Sequence, residues 1–253
     1  MALQEELKKQ GDFLFRYRSY LPLCVIPLAL LVALTSETFL ISGGGEYNTP
    51  LIVLALVVGL LGQVVRIFVA GFVPRDTSGR NTKEQKASVL NHTGLYSLCR
   101  NPLYLGNFLM MLAPVILLGN WLFVLVFALG FWLYYERIIF AEESFLRSKF
   151  GEEYIAWTMN TPPFFPKLSG YVPSQMSFSL RSMLRREYSS FFGLTSSLFV
   201  CHYVFALVAS LKEGYGAPLP DMFLSIVWVT SAVFYIIMRI VVRTSAFFEV
   251  EGR

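Results

Sequence analysis

The sequence predicts an all-α integral membrane protein of about six transmembrane helices with both termini in the cytoplasm, and three observations carry that expectation. Of 253 residues, 55% are hydrophobic and only 15% charged, with a positive mean hydropathy, whereas a soluble domain carries about 25% charged residues. Five stretches lack Asp, Glu, Lys and Arg altogether, as a bilayer interior requires, because a charge at its centre costs at least about 2.5 kcal/mol. Nineteen of the 21 Lys and Arg fall on one side of the resulting topology. A water-soluble enzyme is excluded. Since each span takes roughly 20 residues, residues 1–253 read as a single membrane domain. Cys24, Cys99 and Cys201 are too few and too scattered for a disulfide framework or for metal-ligand spacing, so no metal is expected.

The first twenty residues, MALQEELKKQGDFLFRYRSY, mix charges with Leu and Phe. They lack the apolar core and small-residue cleavage site of a signal peptide and read as an interfacial amphipathic lead-in. Charge-free stretches follow at Ser19–Ser36 and Tyr47–Val65. The next, Asn101–Tyr135, has 35 residues. As one helix it would run about 52 Å at roughly 1.5 Å per residue, far beyond a hydrocarbon layer of about 30 Å. It must fold back, and the turn signal Gly119-Asn120 divides it into Pro102–Leu118 and Trp121 to about Phe140. Ser189–Leu211 and Met222–Met238 complete the six.

With the N-terminus inside, the cytoplasmic segments hold Lys8, Lys9, Arg16 and Arg18, then Arg75, Arg80, Lys83, Lys86 and Arg100. The second loop adds Arg137, Arg147, Lys149, Lys167, Arg181, Arg185 and Arg186, and the C-terminus adds Arg239, Arg243 and Arg253. Lys212 alone lies opposite and Arg66 lies within a span, a distribution that follows the positive-inside rule. The two long cytoplasmic stretches, roughly 74–101 and 141–188, are where the chemistry is expected.

Thr93–Gly106 reads TGLYSLCRNPLYLG. Asn101 and Pro102 look like an N-cap and first-turn proline, which would open the third span with its backbone N–H groups toward the cytoplasmic interface and make a corner suited to an anion. Arg100 sits beside that corner and Tyr104, four residues on, reaches it. The plainer reading is a positive-inside arginine with Tyr96 and Tyr104 in the aromatic belt. Past the fourth span comes YYERIIFAEESFLRSKFGEEYIAWTMNTPPFFP. Glu136 and Glu143 share a helix face and Glu142 lies about 100° away. Such carboxylates suit a cation, although Glu143 with Arg147 is also an ordinary i,i+4 pair. Gly151 fits a helix stop, and Pro162, Pro163 and Pro166 stiffen the exit.

Taken together, the two segments resemble the isoprenylcysteine carboxyl methyltransferase and phospholipid methyltransferase superfamily. The resemblance rests on Gly94, Tyr96, Arg100, Asn101, Pro102, Tyr104 and Gly106, then a hydrophobic hairpin, then Glu142, Glu143, Leu146, Phe150, Gly151 and Tyr154. It covers residues 88–166 as a methyltransferase-like core and leaves 167–253 as an additional two-helix segment. It implies an integral membrane enzyme, with S-adenosylmethionine in a cytoplasmic pocket, that methylates a lipid or lipidated substrate. The membrane would be the plasma or inner membrane of a prokaryote or the endoplasmic reticulum of a eukaryote. Carried over, the cofactor contacts are Val89, Leu90, Asn91, Tyr96, Asn101, Pro102, Leu103, Tyr104 and Glu142. Glu142 or Glu143 would pair with cationic or hydroxyl parts, the helix start near Pro102 would receive the carboxylate, and Leu90 and Leu103 would flank adenine.

Two departures bear on the substrate. The family commonly has His at the position of Asn101, so a titrating imidazole is absent. Its carboxyl methyltransferases place a substrate-contacting Arg four residues before the position of Glu142, which here is Ile138, with Arg137 its neighbour and so rotated by about 100°. That weighs against a prenylcysteine carboxylate. Arg100 and Arg137 are the candidates for an anionic headgroup, and with Glu142 and Glu143 they make up the catalytic set. In FSLRSMLRREYSSFF, Arg181, Arg185 and Arg186 form a second candidate headgroup site, or simply an orienting cluster that favours anionic lipid. His202 and Arg66 stay open between structural and functional roles. Competing readings are an NADPH-dependent sterol or enone reductase on a similar helical core, and a non-enzymatic channel or transporter. Against the latter, the polar residues gather in cytoplasmic segments rather than at the midplane.

Overall fold

The computed structural model describes residues 2–35, 48–74, 85, 87–214, 216–250 and 252. Arg75, Arg80, Lys83, Lys86 and Arg253, as well as Ser36 and Tyr47, lie outside the described residues. Among those described, all regular structure is helical: α1 (Leu3–Tyr17), α2 (Val25–Thr35), α3 (Thr49–Phe72), α4 (Pro102–Ile116), α5 (Trp121–Phe150), α6 (Glu152–Asn160), α7 (Leu180–Lys212) and α8 (Met222–Thr244), with four short 3₁₀ turns.

Four of these, α3, α5, α7 and α8, are long and apolar enough to cross a membrane by length and composition. The first and third of the six expected spans are shorter apolar helices, α2 with 11 residues and α4 with 15. A 3₁₀ turn over Leu21–Cys24 takes the residues that would have lengthened α2. In α4, Pro114 removes a backbone donor within the last turn, and the helix ends two residues later. The expected reversal at Gly119-Asn120 is present. Gly119 adopts φ +67°, open to glycine at no steric cost, and the Asn120 side chain accepts from Phe123 N at 2.9 Å to start α5. α5 does not stop near Phe140 but runs unbroken for 30 residues to Phe150, about 45 Å, and so carries Glu142 and Glu143 beyond the apolar stretch on a rigid rod. It ends where Gly151 takes φ +53°.

Small residues bring the helices together where their backbones meet. A Cβ on Gly62 of α3 would stand 2.6 Å from the Gly106 carbonyl of α4, and one on Gly106 would stand 2.7 Å from Arg66 Cγ. On the other side, α1 lies against α5 so closely that a Cβ on Gly11 would meet the Arg137 carbonyl at 2.1 Å. The amphipathic lead-in therefore packs on the bundle, burying Gly11 and Phe15 and leaving Leu3, Phe13 and Tyr17 exposed. Inside, Phe108, Phe131 and Tyr135 stack in a column, with Phe131 and Tyr135 4.1 Å apart. α7 and α8 join through Thr195–Ser231 at 2.7 Å and Trp228–Ser196 at 3.1 Å.

Candidate active site

The segment before α4 is held as an extra layer under the helices by backbone bonds to the proline-rich exit of α6. Arg100 N donates to Pro162 O at 2.9 Å, Lys167 N to Leu98 O at 2.9 Å and Gly94 N to Val172 O at 2.8 Å. Trp157 Nε1 donates to Tyr96 O at 3.3 Å. These bonds explain how residues separated by some seventy positions reach one place: each element satisfies the other's orphan backbone groups.

On this frame the two motif segments close on each other through two parallel contacts between the start of α4 and the C-terminal part of α5. The Tyr104 hydroxyl donates to Glu142 Oε1 at 2.8 Å. One turn earlier, Arg100 Nε stands 3.3 Å from Glu143 Oε1. Glu143 thus pairs across the helices with Arg100. The Tyr154 hydroxyl lies against both, and burial pushes it well above the usual phenol range, with the Glu143 charge adding to that. Arg100 Nε, Glu143 Oε1 and the Tyr154 hydroxyl are buried without an aligned hydrogen bond among the described residues, which leaves bonding capacity inside the site. Tyr96 lies within electrostatic reach of Glu142, Arg186 and Arg66; burial first, then Glu142, raises its hydroxyl, so it stays protonated and donates. Burial likewise pushes the Cys99 thiol up to about 11, which removes a thiolate from the candidate chemistry.

The remaining sequence-derived residues divide. Asn101 occupies the N-cap position of α4 with Pro102 at the first turn, but its side chain does not cap; Nδ2 donates to Pro163 O at 2.9 Å instead. Pro102 and Leu90 are buried, Asn91 and Leu103 are half-buried, and Val89 is exposed. Arg137 is turned away from the carboxylates, giving Nε to Gln10 Oε1 of α1 at 2.9 Å and Nη1 to Leu133 O at 2.7 Å. Ile138, at the position where the family's arginine stands, is fully buried in the apolar core, and Glu136 is exposed. The arginine cluster separates too. Arg181 stacks over Phe247 at 4.5 Å and Arg185 meets Glu249 at 3.7 Å, so both hold the C-terminal tail, whereas Arg186 reaches Pro74 O at 3.5 Å and lies within electrostatic reach of Tyr96. His202 is buried sixteen residues beyond Arg186 along α7, about 24 Å at roughly 1.5 Å per residue.

Sequence reasoning leaves two pairings unfound: that of Arg18, and the partner of Arg66, for which snorkelling to the interface and pairing with a carboxylate of the site both stand open. Arg18, at the end of α1, places Nη1 3.6 Å from Glu142 Oε1. Arg66 forms a bidentate pair with Glu187 of α7, at 2.8 and 3.0 Å, and also bonds Ser190 at 2.9 Å and Asn107 of α4, while Gln63 Nε2 reaches Glu187 at 3.3 Å. A signal existed for the second pairing: Arg66 inside a span needs a counter-charge, and Glu187 is the one acid within the charge-poor α7 before its final residue's neighbourhood, hidden by the two arginines before it.

Comparison with known proteins bears on this geometry. The family model for phospholipid methyltransferase matches residues 54–153, which contain Arg100, Tyr104, Glu142 and Glu143. The nickel-cobalt-cadmium resistance protein NccN of Alcaligenes xylosoxydans xylosoxydans is 32% identical over 163 residues, covering 62% of this chain and 68% of that protein. The cobalt-zinc-cadmium resistance protein CzcN of Cupriavidus metallidurans is 37% identical over 131 residues, 50% of this chain and 55% of that one. The protein-S-isoprenylcysteine O-methyltransferase of Schizosaccharomyces pombe is 34% identical over 85 residues, 34% of this chain and 36% of the enzyme. No solved structure matches the chain. The chain belongs to the isoprenylcysteine carboxyl methyltransferase and phospholipid methyltransferase superfamily of membrane methyltransferases. It is a multi-pass membrane protein that spans little more than half of CzcN and about a third of the yeast enzyme. Two of these relatives take their names from resistance to metal ions; among the described residues here, no three His, Cys, Asp or Glu side chains gather to hold one.

Proposed function

We propose that this protein transfers the methyl group of S-adenosylmethionine to a lipid or lipidated acceptor at the cytoplasmic membrane face, with both termini cytoplasmic and residues 88–166 forming the catalytic core. The observation that carries this reading is the double tie, Tyr104 to Glu142 and Arg100 to Glu143, between the two segments that define the superfamily. The residues present fit the cofactor: a half-buried carboxylate oriented by a phenol, neighbouring polar atoms with bonding capacity left, and buried apolar side chains at Leu90 and Pro102. S-adenosylmethionine supplies a methyl group on a positively charged sulfur.

Glu142, fixed by Tyr104, offers negative charge to a cation in a site from which burial removes water, where such attraction counts for more than in bulk. Tyr96, kept protonated, contributes a donor rather than a base. In-line methyl transfer calls mainly for alignment and exclusion of water. An oxyanion acceptor needs no base, whereas an amine must lose its proton first, and Glu143 is the carboxylate beside the site that can take one. Arg100 and Arg186 flank the same place and suit an acceptor with a carboxylate or phosphate. Arg137, Arg181 and Arg185, engaged elsewhere, suit that role less.

Calorimetric titration of the detergent-purified protein with S-adenosylhomocysteine and, separately, NADPH tests the reading. Micromolar binding of the first alone is expected. Binding of NADPH alone replaces this reading with a reductase, and binding of neither removes the enzymatic reading.

A further inference from the structure

The N-terminal helix lies outside the segment matched by the family model, yet it delivers a charge to the centre of the site. Arg18 follows the last turn of α1, and its guanidinium lies over the buried Phe15 ring at 4.1 Å and 3.6 Å from Glu142 Oε1. Its side chain is 11% exposed and that of Glu142 24%. The helix that carries it is fastened to α5 at three levels: Gly11 against the Arg137 carbonyl, Arg137 Nε to Gln10 at 2.9 Å, and the Tyr134 hydroxyl to Leu14 O at 3.4 Å. Arg18 is therefore placed by packing and not by the reach of a loose terminus.

The two contacts to Glu142 Oε1 differ in kind. Tyr104 is at hydrogen-bond distance, 2.8 Å, whereas the Arg18–Glu142 contact, at 3.6 Å, is an ion pair longer than a hydrogen bond. An Arg⁺–Glu⁻ pair presented side by side in a half-closed site is the electrostatic complement of an α-amino acid zwitterion, whose ammonium and carboxylate sit two bonds apart. Exchanging the internal pair for two external ones, carboxylate on guanidinium and ammonium on Glu142, buries no new net charge and turns a long contact into charge-assisted hydrogen bonds. The start of α4 is poorly placed for that carboxylate, because the 162–163 backbone already bonds Arg100 N and the Asn101 side chain.

We propose that Arg18 and Glu142 together form the subsite for the amino-acid end of the cofactor, with Arg18 taking the α-carboxylate and Glu142 the α-ammonium. This rests on the methyl-transfer reading. It makes α1, outside the family match, a structural part of the cofactor site.

The test compares two adenosine thioethers on the full chain in detergent. S-adenosylhomocysteine carries the zwitterion and 5′-methylthioadenosine lacks it. Arg18→Gln is expected to weaken S-adenosylhomocysteine at least tenfold and leave 5′-methylthioadenosine unchanged, with Arg18→Lys between wild type and Arg18→Gln. On the unmutated protein, decarboxylated S-adenosylmethionine is expected to bind at least tenfold more weakly than S-adenosylmethionine, a measurement independent of whether any variant folds. Equal loss for both thioethers, no loss for either, or indifference to the carboxylate overturns the subsite. Failure of the unmutated protein to bind S-adenosylhomocysteine at all overturns the methyl-transfer reading, and the subsite with it.

Discussion

Two ionic clusters sit close together at one end of the bundle, and they are built differently. Around Glu142 and Glu143 the charged contacts are long, 3.6 Å from Arg18 and 3.3 Å from Arg100, and buried polar atoms lack aligned partners. Around Glu187 the guanidinium of Arg66 is gripped at 2.8 and 3.0 Å and bonded further by Ser190 and Asn107. Apart from Gln63 Oε1, which is buried without an aligned partner among the described residues, the Arg66 network is closely bonded. Short, multiple bonds of that kind hold helices in place, whereas longer contacts exchange partners more readily. The Arg66 cluster, spanning α3, α4 and α7, is the brace, and the Glu142 cluster is the candidate site beside it.

The largest effect should come from breaking the brace. Glu187→Ala leaves Arg66 as a mostly buried, unneutralised charge, a change that costs about 3–5 kcal/mol. Thermal unfolding in detergent should show the steepest loss of stability of any single substitution discussed here. A small shift would mean that Asn107 and Ser190 suffice for Arg66, and the distinction between brace and site would fail.

The reverse pattern is expected at Glu142. Glu142→Ala and Tyr104→Ala should each abolish S-adenosylhomocysteine binding, while the melting transition moves far less than in Glu187→Ala. Tyr104→Phe, which keeps the ring against Tyr135 at 4.6 Å and removes only a bond to a charged group, should cost about 1.5–3 kcal/mol of binding. Binding retained in both alanine variants would remove these residues from the site.

What the sequence made legible was local. The start of α4 at Pro102, the reversal at Gly119-Asn120 and the stop at Gly151 each follow from turn chemistry within a few residues. The candidate residues Arg100, Tyr104, Glu142 and Glu143 were found by motif, and the structure brings all four together. Pairing across the fold was not legible. Arg66 and Glu187 are 121 positions apart, and Arg18 and Glu142 belong to helices whose contact depends on a glycine at position 11. The side chain of Asn101 went to a carbonyl that no local rule would nominate, because the incoming 162–163 strand of backbone competes with the helix end for the same amide. The shortness of α2 and α4 was hidden because charge-free length does not reveal where a 3₁₀ turn or a proline ends the helix.

Between the clusters lies the α3–α4 contact, and its substitution should have an intermediate effect. Gly62→Ala puts a methyl group 2.6 Å from the Gly106 carbonyl. Backbone on both sides must move, at a cost of about 1–3 kcal/mol. Because Arg66 sits one turn after Gly62 and Asn107 directly follows Gly106, this variant should loosen the brace first and weaken S-adenosylhomocysteine binding only modestly. A full loss of binding with unchanged melting would place the cofactor against α3 rather than against α5.

The smallest effect separates the neighbouring arginines of α7. Arg185 meets Glu249 at 3.7 Å with the two side chains 38% and 68% exposed, and such a surface pair is worth about 0–1 kcal/mol. Arg185→Ala should leave melting and S-adenosylhomocysteine binding within error of the unmutated protein. Arg186 reaches Pro74 O and lies within electrostatic reach of Tyr96, so Arg186→Ala should lower methylation of an anionic acceptor such as N-acetyl-S-farnesylcysteine while cofactor binding persists. If Arg185→Ala has the larger effect on that acceptor, the outward arginines gather substrate from the membrane surface, and the division of the cluster into a tail-holding pair and a residue near the site is wrong.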